Sequence, residues 1–150
     1  MKTSEDESNV LEKKEEIFLK THNEIDQNFN GELVKLELGY AEVNLVTKQE
    51  MVVDEYNLIH GGYIFSAADF AAMAAVNEKN VVLVASDCQF LSPVKLFDEV
   101  KVMARVRHKE GRKRNVHVEA FVFDVKVFEG EFKTVITEKH VLKLKLTQDD

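Results

Sequence analysis

The sequence contains no tryptophan, one cysteine (Cys88) and one proline (Pro93) in 150 residues. A lone cysteine cannot close a disulfide within the chain, which fits a reducing cytoplasm. One proline and six glycines leave no polyproline spacer, no low-complexity tract and no second-domain boundary. No apolar run is long enough to cross a bilayer, and the first residues lack the apolar core of a secretory leader. Positive charge is short as well: 20 Lys and Arg against 27 Asp and Glu leave a formal net charge of −7. That balance argues against general nucleic-acid affinity, and it obliges any anionic ligand to find a local basic patch. His22, His60, His108, His117, His140 and Cys88 show no metal-ligand spacing, and no G-x-G-x-x-G or Walker loop is present. Neither a metal nor a cofactor is therefore expected.

What the sequence does have is one apolar helix-forming stretch. From Ile64 to Val76 the residues are Ala-rich and nearly all apolar, and His60-Gly61-Gly62 precedes them. Ala favours helix most, and no Pro or Gly interrupts the run after Gly62. A helix that is apolar on almost every side belongs inside a fold. Its one polar stripe, at about 100° per residue, carries Gly62, Ser66 and Asp69 and ends on Met73. Gly61 and Gly62 sit where the helix begins. Their N–H groups lack intrahelical acceptors and no side chain screens them, so they suit a polarised carbonyl oxygen. A carboxylate with bare amides suggests acyl chemistry. Seven residues separate Gly62 from Asp69, roughly 10 Å along a helix axis, too far for one carbonyl to meet both. Two antiparallel copies of the helix would bring Asp69 of one beside Gly62 of the other, so the stretch predicts a homodimer with two composite sites.

Around this helix the pattern is strand-like. Residues 1–9 read as a disordered acidic tail, and Val10 to about Asn28 reads as an N-terminal helix with Leu11, Phe18 and Ile25 at heptad spacing. Alternation at Val34, Leu36 and Leu38, then at Ala41, Val43 and Leu45, predicts a hairpin turning at Gly39-Tyr40. Val81 to Phe90 is largely apolar and reads as a central strand, which Pro93 ends. Val100 to Val106, Val116 to Val122 and Leu142 to Leu146 alternate in turn, with Gly111 and Gly130 as the intervening turns. The expected fold is thus α+β: an antiparallel sheet of about six strands wrapped around a central helix, with an extra helix over 10–30 and the main domain over 31–150.

The segment HGGYIFSAAD resembles the His-Gly-Gly…Asp signature of hotdog-fold acyl-CoA thioesterases, the phenylacetyl-CoA thioesterase branch in particular. The likeness continues through VASDCQFLSPV and VKVMARVRH, covering roughly Gly31 to Leu146. It implies a sheet wrapped around a helix, dimers of such units, and acyl-CoA as substrate or ligand. It implies Gly61 and Gly62 as oxyanion donors and Asp69 as general base or nucleophile. Members of that branch often carry Arg or Lys before the Pro, where this chain has Ser92. The segment GELVKLELGYAEVNLV is also similar to the effector domain of the malonyl-CoA-responsive repressor of fatty-acid synthesis. That repressor has Asn in place of Asp69 and carries a DNA-binding domain, which is not expected in this chain.

Three readings follow. The first is an acyl-CoA thioesterase, with the acyl group between two central helices near Phe65, Phe70 and Met73. In it His60 shapes the oxyanion site or holds its loop, and Ser66 holds water or orients Asp69. Asn57 shapes the turn into the helix, with a minor part in substrate binding. Lys95 and the basic hairpin bearing Arg112 and Arg114 are candidate phosphate landings, because guanidinium forks match phosphate oxygens. The second is a non-catalytic acyl-CoA sensor or regulatory partner. The third is a dehydratase with His60 as its catalytic histidine. Assembly beyond the dimer, to a dimer of dimers or a hexamer, is open to any of them. No membrane and no nucleic-acid partner is expected.

Overall fold

A computed structural model describes residues 16–144. One turn of helix, α1 (Gln27–Asn30), precedes strands β1 (Glu32–Glu37) and β2 (Tyr40–Val46). The central helix α2 (Gly61–Val76) follows, then β3 (Val81–Phe90), β4 (Glu99–Glu110), β5 (Lys113–Val122) and β6 (Val125–Ile136). The six strands form one sheet in the order β1-β2-β4-β5-β6-β3, and every neighbouring pair is antiparallel; β3, which reads as a central strand in the sequence, is an edge strand with its middle residues exposed.

Period-two alternation gives the sheet its inner face. Val43, Leu45, Val100, Val102, Val116, Val118, Phe128 and Phe132 all lie at 0–1% exposure and close over α2. The helix meets them with Ala67, Ala68, Ala71, Ala72, Ala74 and Ala75, all at 0%. Methyl side chains let helix and sheet approach closely. The large side chains are then concentrated at Phe70, Phe128 and Phe132, and burying each stabilises by about 1.5–3 kcal/mol. The helix ends because Asn77 adopts a left-handed conformation (φ 52°) and its N–H caps the Met73 carbonyl.

Two expectations give way here. Residues 16–26 form no helix, and residues 10–15, with the acidic tail, lie outside the described span. The segment is instead a strap along α2. Asn77 accepts from the Lys20 N–H (2.7 Å) and donates to the Phe18 carbonyl (2.8 Å), and His22 stands at φ 57°, stacked at 6.5 Å on Phe70. Side-chain bonds to backbone groups have displaced a heptad-like pattern: Phe18 is 68% exposed, not packed.

The sixth strand is also not the expected one. It is β6, with Gly130 in its middle opposite Cys88, while Val141–Lys143 is a short 3-10 turn and Leu146 lies outside the described residues. The reversal between β5 and β6 falls at Phe123 (φ 53°). Gly130 is a glycine for steric reasons. A Cβ there would sit 2.6 Å from the Cys88 Cβ and 3.1 Å from the Asp87 carbonyl oxygen.

Candidate active site

The start of α2 is held by two connections that cross beneath it. Val52 bridges Ile59, and Leu58 bridges Lys95. The Ile59 N–H donates to Val94 O and the His60 N–H to Met51 O, both at 2.9 Å. Asn57 takes φ 65° and accepts from the Leu96 N–H, so it does shape the turn leading into the helix. His60 is the residue before the first helical turn, and its side chain makes no capping bond. The imidazole folds back over the helix instead: a Cβ on Gly62 would meet His60 Nε2 at 2.8 Å. Gly61 is flanked from the other side by Phe90, whose ring would lie 3.4 Å from a Cβ there. The two amides therefore open between a histidine and a phenylalanine.

Asp69 lies two turns further along. Its Oδ1 is sealed from solvent without a hydrogen-bond partner among the described residues. Burial pushes its pKa up from 3.8 to about 6, because desolvation penalises the charged form. A carboxylate poised there can take a proton near neutral pH. Ser66 does not orient it: the Ser66 hydroxyl donates to Asn30 Oδ1. Asn30 was not among the sequence candidates. The signal was the turn chemistry of Asp26-x-Asn28-x-Asn30-Gly31, where Asp26 caps the Asn28 N–H at 2.8 Å. Gly31 at φ 94° lets that chain pass against Val43 and Ala67.

The expected acyl-lining residues separate. Phe65 is half-buried and stacks on Phe132 at 5.5 Å. Phe70 and Met73, each 1% exposed, point into the protomer core, so neither lines a surface cleft. Phe90, 56% exposed and edge-on to Phe128 at 5.1 Å, takes their place beside the glycines. It was missed because it closes a strand that reads as plain core.

The expected phosphate cations are occupied. Lys95 pairs with Asp98 at 3.2 Å and Arg112 with Glu138 at 3.4 Å. Arg114 donates to the Gly111 and Lys113 carbonyls of its own hairpin, at 2.8 and 2.9 Å. Only Lys95 is near the start of α2. Arg114 borders a depression at the other end of the helix, with Ala75 and Val76.

On the outer face of the sheet, His117, Glu119 and Glu129 bring three ligand-type atoms within 4.8 Å of one another. Linear spacing could not reveal this grouping, since two strands assemble it. Lys126 already supplies a cation there, 2.7 Å from Glu119 and 3.0 Å from Glu129. Among the described residues no helix is long and apolar enough to cross a membrane.

A family model described as "Thioesterase superfamily" matches residues 56–129. The chain is 51% identical over 117 residues, 78% of its length, to methylthioribose-1-phosphate isomerase of Aquifex aeolicus, of which the match spans 26%. It is 32% identical over 114 residues, 75% of its length, to the transcription factor FapR of a Thermoanaerobacter species, spanning 57% of that protein. The chain thus spans between a quarter and just over half of these two curated relatives. Among solved structures, an uncharacterized protein of Pyrococcus horikoshii is 39% identical with a TM-score of 0.85, and the match covers 87% of this chain and 100% of that one.

Proposed function

The chain belongs to the thioesterase superfamily and has its hotdog fold, and from that premise we propose that it hydrolyses an acyl-CoA thioester to the free acid and CoA, at a site shared by two copies of the chain. The observation that carries the reading is the unpartnered Asp69 carboxylate, sealed at Oδ1, on the same helix as two bare glycine amides. Two antiparallel α2 helices place Asp69 of one copy beside Gly61 and Gly62 of the other. As general base, Asp69 takes a proton from water as the oxygen adds to the thioester carbonyl. The developing oxyanion is held by the two amides. Collapse breaks the C–S bond, and the proton on Asp69 passes to the departing thiolate. As nucleophile, Asp69 would form a mixed anhydride that water then cleaves. Phe65 and Phe90 flank the acyl group. The single cysteine is consistent with a cytoplasmic setting.

A second reading, an acyl-CoA sensor without turnover, is favoured by the 32% identity to a transcription factor. A thiol-release assay over a panel of acyl-, hydroxyacyl- and enoyl-CoAs, paired with calorimetry, separates the two. Release of free CoA supports the hydrolase. Heat of binding without release supports the sensor and overturns the first reading.

The glycines offer a second handle. Gly62→Ala adds a methyl that only the far end of the His60 ring opposes. The ring can swing away, and Ala gains about 0.5–1 kcal/mol of helix stability over Gly. Stability should therefore hold or rise. Hydrolysis should fall about tenfold or more, because the methyl and the displaced ring alter the approach to the amides. Unchanged turnover would remove Gly62 from the site.

A further inference from the structure

β5 and β6 carry an ionic cluster on the face of the sheet that looks away from α2. Val116, Val118 and Ala120 point inward at 0% exposure, so His117 and Glu119 between them project outward. Their register partners on β6 are Glu131 and Glu129. The His117 side chain is only 11% exposed, and its Nδ1 is hydrogen-bonded to Glu131 Oε2. Its Nε2 looks into two further carboxylates, with Glu129 Oε2 at 3.1 Å and Glu119 Oε2 at 3.9 Å. When the ring is neutral and its proton is on Nδ1 for Glu131, the Nε2 lone pair is aimed at negative oxygens. Glu119 and Glu129 also stand directly opposite each other, a like-charge pairing that destabilises a sheet. Lone pair and carboxylates thus converge on a point that calls for a cation. Among the described residues, Lys126 is the one Lys or Arg that pairs with either acid, at 2.7 Å from Glu119 and 3.0 Å from Glu129. It supplies a single charge against the two.

We propose that His117, Glu119 and Glu129 bind a divalent transition ion of the zinc class, with Glu131 orienting the imidazole and Lys126 as the cation that the metal displaces. Three ligand atoms from these residues already lie within 4.8 Å of one another. Tetrahedral ligands at about 2.0–2.2 Å from zinc stand about 3.3–3.6 Å apart, so closure takes shifts of about 1 Å. The Glu119 and Glu129 side chains, 33% and 38% exposed, are free to make them. Lys126 is 32% exposed, and its long stem can swing out to water. One imidazole with two carboxylates suits zinc and its neighbours, whereas calcium and magnesium take oxygen ligands alone. A carboxylate behind the second ring nitrogen is what fixes the tautomer of a histidine ligand. Two carboxylates balance a divalent ion, which a lysine cannot do. The set escapes the linear spacing of the histidines because two strands assemble it. The ion ties β5 to β6 on the side away from α2 and takes no part in the hydrolysis proposed above.

The test is calorimetric titration of Zn²⁺ into the full chain, free of any affinity tag, with Mg²⁺ in excess. The parent should bind zinc at one site per chain. Lys126→Gln removes the competing charge and should tighten binding about tenfold or more. Glu131→Gln should weaken it about 10–100-fold, the usual effect of losing the group behind a histidine ligand. Glu119→Gln with Glu129→Gln should abolish it. Zinc should also raise the melting temperature, and more so in Lys126→Gln than in the parent. A gain in affinity cannot come from misfolding, so Lys126→Gln reads the site even where the amide variants lose stability. No stoichiometric binding by the parent, an unchanged affinity in Lys126→Gln, or binding that survives the double amide substitution overturns the proposal. The cluster is then an ion-pair network closed by Lys126. No thioester enters the titration, so failure here leaves the hydrolase reading intact, and failure of hydrolysis leaves the metal site intact.

Discussion

Replacing Asp69 by Asn should abolish thioester hydrolysis and, above pH 6, make the protein more stable relative to its parent than it is at pH 4. Both effects come from one half-buried group whose Oδ1 is sealed from solvent. Its pKa is raised from 3.8 to about 6, so between those values the folded state holds a proton that the unfolded chain releases. Stability therefore falls as pH rises through this window, and the full penalty is present above the folded pKa. About two pKa units correspond to about 3 kcal/mol. Asn carries no charge at either pH. The stability difference between variant and parent should thus move in favour of Asn by about 2.4 kcal/mol from pH 4, where part of the penalty is already present, to pH 7.5, measured by denaturant unfolding at both. Hydrolysis should fall by about 10²–10⁴-fold, the usual contribution of a positioned base, with the dimer retained. In the parent, kcat/KM should rise with pH through a limb near 6, because the base must be deprotonated to act. Full turnover in Asp69→Asn, or a stability difference flat in pH, would exclude this assignment.

The same group shows why the site was half legible. The apolar run from Ile64 to Val76 and its single polar stripe are one-dimensional signals, and the helix they predicted lies at the centre of the sheet. The alternation in β2, β4 and β5 was equally local, and its inner residues are the ones at 0–1% exposure. What failed depended on contacts between distant segments. The heptad-like spacing of Leu11, Phe18 and Ile25 competes with two bonds to the Asn77 side chain, 57 and 59 residues away. Ser66 sits one turn before Asp69, yet its hydroxyl goes to Asn30, 36 residues upstream. Arg112 and Arg114 read as free cations because Glu138 and the hairpin carbonyls are not visible as partners in sequence. Phe90 gives no sign in sequence that its ring lies against Gly61.

Gly130 is the sharpest case of that kind, and it yields the largest expected effect on folding. Gly130→Ala should cost about 3 kcal/mol or more, beyond the usual penalty for a small overpacking change. The conformation is not the obstacle, since only Gly31, Gly39 and Gly111 take positive φ among the described glycines. The obstacle is the Cys88 Cβ at 2.6 Å, with the Asp87 carbonyl oxygen and the Cys88 Cα both at 3.1 Å. These atoms belong to the backbone of β3 or are bonded directly to it, so no side-chain rotation relieves them. The strand must separate from β6, and β3 has no other partner in the sheet. Phe90 at its end packs on Phe128 and borders Gly61, so the displacement reaches the oxyanion amides as well. At about 2–4 °C per kcal/mol for a chain of this length, the melting temperature should drop by about 10 °C. Gly111→Ala is the control for backbone strain: it has φ 59° and nothing within 4 Å of a Cβ, so it should cost only about 1 kcal/mol. Cys88→Gly removes the opposing Cβ. Combined with Gly130→Ala it should recover part of the loss, giving a favourable coupling in the double-mutant cycle. A Gly130→Ala protein that melts with its parent, or a cycle with no coupling, would mean that the close approach of β3 and β6 is not what requires glycine at this position.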